Sequence, residues 1–339
     1  MTETEDRIRL RLHDLAESAP RGGRPPDGLV PRARRRATLA MTSAALAVAL
    51  MIAGVGAGVR AIDRSPRPAA RPTPDLFAKV HGWIAFGGTT IQAVDPADPS
   101  HTVVLYPGTG GVAVYPLAWS PDGTELLVRS GDQHLLVLTS DGAEHPVASD
   151  AGWGSLSPDG SRVVYATDSG SLYIAGVDGG TPQLLLPGGG PRTGDIWYFT
   201  PQWSPDGSQI VFLTRPQGGE WSLSTITADG TGQHVLVDLS DVKVTEPGGL
   251  AWSPDGSRLA LFIDPTKYHA AIWTVRADGS GLRRITGQGD SAWPTWSPDG
   301  TRIAFSRKGV LLSMAANGSG VQTVGKVQAT FVIAWNPAP

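Results

Sequence analysis

From residue 79 onward, short apolar runs alternate with turn-forming clusters, and one cluster keeps returning. Trp-Ser-Pro-Asp-Gly begins at Trp119, Trp203, Trp252 and Trp296; Leu156 opens a fifth copy, and Trp335-Asn336-Pro337 is a shortened sixth. Successive copies lie 37, 47, 49, 44 and 39 residues apart. An apolar run precedes each copy, and another follows, as at residues 209–213, 258–262 and 302–305. Ser-Pro-Asp-Gly between two such runs is a tight turn: Pro presets φ, Asp bonds nearby backbone amides, and Gly takes the left-handed conformation. Each copy therefore predicts a β-hairpin. A second turn signal follows each one, at Asp141-Gly142, Asp178-Gly179, Asp229-Gly230, Asp278-Gly279 and Asn317-Gly318. Such pairs predict two-residue hairpins with positive φ at both central positions.

Each repeat is then four antiparallel strands, A to D, with fixed turns at A–B and C–D, which is the size of a propeller blade. A-strands end at Trp119, Leu156, Trp203, Trp252, Trp296 and Trp335, so there are six. A B–C–D set without an A-strand opens the domain at residues 83–86, 90–94 and 102–106. The strand near residues 331–335 is an A-strand with nothing after it. Joining the two ends completes a blade and removes open edges. The prediction is all-β: a six-bladed β-propeller of four-stranded antiparallel blades, closed between its N- and C-terminal segments. The repeat tryptophans fall in its core.

The repeated Trp-Ser-Pro-Asp-Gly, with Ile-Ala-Phe-like strands and Ala-Asp-Gly-Ser-Gly-like turns, resembles the TolB-type (WD-like) β-propeller repeat across about residues 79–339. Leu156 and the shortened last copy depart from the pattern. The resemblance implies a propeller used as a periplasmic or surface binding module, or as the gating domain of a prolyl-oligopeptidase-like enzyme.

The front end changes the picture. Residues 1–36 hold nine Arg against six acids, and Ile8, Leu12, Leu15 and Ala16 share one face of a short helix. Arg32, Arg34, Arg35 and Arg36 stand before an uncharged run that starts at Ala37 and ends at Val59. As a helix those 23 residues reach about 34 Å, enough for a hydrocarbon core of about 30 Å. The Arg cluster predicts that residues 1–36 stay in the cytoplasm and the propeller lies outside. The expected location is the cell membrane, single-pass, with residues 37–59 as transmembrane anchor; cleavage as a signal peptide is the alternative. Residues 60–78, rich in Pro and Arg, form a linker.

Composition narrows the chemistry. There are no cysteines, hence no disulfide framework or Cys-ligated metal. Residues 79–339 hold 15 basic and 23 acidic side chains, a net charge of −8. A nucleic-acid surface runs the other way. No Gly-x-Ser-x-Gly elbow, paired-His metal spacing or calcium loop occurs, so no cofactor, metal or catalytic residue is assigned. The fixed turns share one propeller face, while the B–C and D–A loops, which differ in every blade, share the other. These loops carry Arg192, Asp195, Trp197, Tyr198, Arg215, Trp221, Glu246 and Tyr268, with Trp293 just before an A-strand. Aromatic and Arg side chains on variable loops above a rigid scaffold are what a recognition surface needs. The sequence thus predicts a membrane-anchored extracytoplasmic module that binds proteins or cell-envelope ligands through that face. One alternative is a sensor whose cytoplasmic tail holds a transcription-regulatory partner. Another is a propeller hydrolase or lyase using acids such as Asp150, Asp195, Glu246 and Asp290.

Overall fold

A computed structural model of the chain describes residues 77–108, 111–189, 196–242, 244–266, 269–287, 289–326 and 332–337. The predicted anchor at residues 37–59 and the tail before it lie outside the described residues. Among the described residues no helix is long and apolar enough to cross a membrane.

The described strands make six four-stranded antiparallel sheets. Blade one pairs the C-terminal strand Ile333–Trp335 with Ile84–Phe86, followed outward by Ile91–Val94 and Thr102–Tyr106. The join is in register, Ile84 opposite Trp335 and Phe86 opposite Ile333. Backbone bonds extend it: Asn336 N donates to Trp83 O at 2.8 Å and Gly82 N to Asn336 O at 3.2 Å. Trp335 Nε1 donates to Gly82 O at 2.7 Å. The inner strands of blades two to six are Val114–Trp119, Trp153–Leu156, Ile196–Trp203, Glu246–Trp252 and Ser291–Trp296. Each touches the inner strands on either side, so the ring closes.

Burial follows from this geometry. Middle strands are sandwiched between neighbouring blades and read as continuous apolar runs. Ile210–Leu213 and Leu259–Leu261 are fully buried, while the outer strand Gly179–Leu186 is mostly exposed. Six apolar clusters result, one for each interface between adjacent blades.

The Trp-Ser-Pro-Asp-Gly turns form as expected, with Gly123, Gly160, Gly207, Gly256 and Gly300 at φ between 68° and 71°. Sequence reasoning missed what the serine does. Ser120 Oγ donates to Asp122 Oδ1 at 2.6 Å and accepts from Glu125 N at 2.9 Å, and Asp122 accepts from Thr124 N at 3.1 Å. The same three bonds recur around Ser157, Ser204, Ser253 and Ser297. The Asp-Gly turns differ from expectation. Gly142, Gly230 and Gly279 have positive φ, but Asp141, Asp229 and Asp278 do not. Each of those carboxylates accepts the backbone N–H two residues on, as Asp141 does from Ala143 at 3.1 Å. This local bond holds Asp in ordinary space and leaves the left-handed position to Gly alone.

Candidate functional site

Blade four concentrates the aromatic and Arg side chains of the variable-loop face. Its inner strand starts at Ile196, so Trp197 and Tyr198 stand on a strand and not on a loop. Strand alternation then separates them. Trp197 is half-buried and packs beside Phe199, ring centroids 5.8 Å apart, and Phe199 meets Trp221 at 5.2 Å. The Arg215 guanidinium lies 5.4 Å from the Trp221 ring centroid, and its Nε donates to Gly219 O at 3.3 Å. With Pro216, Gln217 and Gly218 these side chains line a pocket of about 280 Å³.

Two predicted residues need correction. Tyr198 is only 4% exposed, edge-on to Phe212 at 5.5 Å in the interface between blades three and four. It is a core residue, and burial raises its hydroxyl pKa. Trp221 lines the pocket but is 7% exposed and belongs to the interface between blades four and five. Glu246 is exposed at the start of blade five's inner strand, opposite Asp264, and does not line this pocket. Arg192, Asp195 and Tyr268 lie outside the described residues.

A second aromatic group lies over the propeller axis. Three residues before the repeat Trp or Leu, the six blades carry Pro116, Trp153, Thr200, Gly249, Trp293 and Val332. Blades three and six stand opposite in the ring, and their Trp153 and Trp293 meet across it at 4.6 Å. A bulge in blade six re-aims Trp293, which sits at φ 56°; Thr200 and Gly249, at the same repeat position, share that left-handed backbone. The Arg129 guanidinium caps Trp153 at 5.2 Å, and Phe262 packs on Trp293 at 5.2 Å. Arg129 and Phe262 stand on middle strands, where neither turn signals nor loop variability drew attention to them.

Beneath this pair is a central cavity of about 420 Å³, lined by the inner strands and by Pro121, Pro254, Pro298 and Pro337 of the fixed turns. No Asp, Glu, His, Lys, Arg or Tyr is among its described lining residues. Asp150 instead lines a groove of about 800 Å³ between blades two and three. No group of three potential metal ligands occurs among the described residues.

No protein-family model matches the sequence, and no curated protein matches it. Solved structures do. A TolB protein of Agrobacterium tumefaciens is 22% identical with TM-score 0.56, over 71% of this chain and 88% of that one. TolB of Acinetobacter baumannii is 18% identical with TM-score 0.61, over 76% and 67%. The fold is that of the TolB-type six-bladed propeller. A gluconolactonase from Xanthomonas campestris is also similar, at 17% identity and TM-score 0.50, over 66% and 82%. Likeness at these identities extends to the fold only, and function has to be argued from the site.

Proposed function

We propose that this TolB-type propeller is a recognition module, anchored in the cell membrane through residues 37–59 and facing out of the cytoplasm, whose variable-loop face binds a protein or cell-envelope ligand. The observation that carries the proposal is the blade-four pocket. Trp197, Phe199, Trp221 and Arg215 converge there on one concave spot at the rim of a rigid ring. Binding energy at interfaces concentrates in Trp, Tyr and Arg side chains seated in such pockets. The anchor and its orientation rest on the uncharged run after Arg32, Arg34, Arg35 and Arg36. A hydrolase or lyase reading finds less support, because no acid or base lines the central cavity among the described residues.

The test is affinity for a partner captured from the cell envelope by the full chain. Arg215→Ala and Trp197→Ala should each cost roughly 1–3 kcal/mol in binding, with thermal melts showing that both variants remain folded. Folded variants that bind like the wild type would remove the loop face from the account.

A further inference from the structure

The central cavity supports an inference that does not depend on the loop face. Its walls are set by repeat position, in three levels. At the loop-face end, Trp153 and Trp293 cross the axis in contact. At the turn-face end stand the prolines of the fixed turns. Between them, one residue before each repeat Trp or Leu, the ring reads Ala118, Ser155, Gln202, Ala251, Thr295 and Ala334. Three small apolar side chains and three uncharged polar ones therefore share one belt around the axis.

We propose that this cavity is a binding site for a small, neutral, ring-containing molecule bearing amide or hydroxyl groups. Size fits first: about 420 Å³ lies within the roughly 300–1,000 Å³ of small-molecule sites. The wall sets the ligand's body. Trp153 and Trp293 bound the cavity at its loop-face end, and aromatic rings favour flat partners in offset or edge contact. The belt sets its polar groups. The Gln202 amide both donates and accepts, as does the Thr295 hydroxyl, so a ligand with both kinds of group is matched and a pure hydrocarbon is not. Among the described residues no charged side chain lines the cavity, and this sets the net charge. An ion would give up its hydration for a wall with no countercharge. The crossed tryptophans bound the cavity at the loop-face end, and the prolines of the fixed turns bound it at the other.

Three probes of one size test the charge rule on the full-length protein: benzamide, benzoate and benzamidine, followed by saturation-transfer NMR and by the fluorescence of the lining tryptophans. Benzamide should bind saturably, and the two ions should bind at least about tenfold more weakly. Gln202→Leu and Thr295→Val keep the side-chain size and remove the hydrogen-bonding groups. Each should weaken benzamide about three- to tenfold, and a thermal melt shows which of the two is folded for the comparison. The proposal is overturned if the ions bind as well as benzamide, if none of the three saturates, or if both folded variants bind benzamide like the wild type.

Discussion

Ile333→Ala tests the closure of the ring at a single side chain. Ile333 is 4% exposed and packs with Ile84, Phe86, Ala304 and Leu311 between blades six and one. Its strand is only three residues long, so beside the bonds that Trp335 and Asn336 make to blade one the Ile333 side chain is a main apolar contact of the clasp. Removing a buried Ile side chain to Ala costs about 2–5 kcal/mol, transfer and cavity together. That is a large part of a typical stability of about 5–15 kcal/mol. A domain of this size loses about 2–4 °C of melting temperature per kcal/mol, so the expected drop is roughly 4–20 °C. Val235→Ala is the control: Val235 is 57% exposed on the outer strand His234–Asp238, and its loss should change stability by no more than about 0.5 kcal/mol. The assay is differential scanning calorimetry of the full chain. If Ile333→Ala melts within about 2 °C of Val235→Ala, the C-terminal strand does not clasp the ring.

The remaining predictions concern turns, core and acid. Gly207→Ala puts a side chain at φ 70°, where no clash is imposed because Pro158 lies 3.7 Å from the new Cβ; the backbone strain alone should cost about 1 kcal/mol, seen as a lower melt with ligand binding intact. Tyr198→Ala, in contrast with Arg215→Ala, should lower the melt strongly, by about 3–5 kcal/mol of stability; an unchanged melt would return Tyr198 to the surface. The Ser157 hydroxyl, helped by the Ser161 backbone and hydroxyl, holds Asp159 down to about 2, and Asp122, Asp206, Asp255 and Asp299 are lowered by their own turn serines in the same way. A depressed carboxylate pKa stabilises above the unfolded value of about 3.9 and loses that contribution as pH falls through the folded value. Stability should therefore fall between about pH 4 and pH 2, and Asp159→Asn should make that fall shallower in acid titrations followed by circular dichroism.

Much of the fold was legible because the repeat fixes it. Trp-Ser-Pro-Asp-Gly and its variants at Leu156 and Trp335 located the inner strands, and the unpaired sets at the two ends predicted the clasp that pairs Ile84 with Trp335. The site was legible only in part. Composition drew attention to Trp197, Arg215 and Trp221, which do line one pocket. It could not tell Trp197 from Tyr198, because that depends on strand alternation after Ile196, and the turn-rich residues before it gave no strand signal. The crossing of Trp153 and Trp293 was hidden for another reason. Their shared repeat position can be read off the sequence, but their contact depends on blades three and six standing opposite in a closed ring, and on the bulge that re-aims Trp293.

The most direct test of the loop-face claim is photo-crosslinking in intact source cells. p-Benzoyl-phenylalanine is placed at Gln217, exposed in the blade-four pocket, or at Ser208, exposed on a fixed turn of the same blade. The account predicts a discrete protein or envelope adduct from position 217 and none from position 208. An adduct from 208 alone would put recognition on the turn face and contradict it.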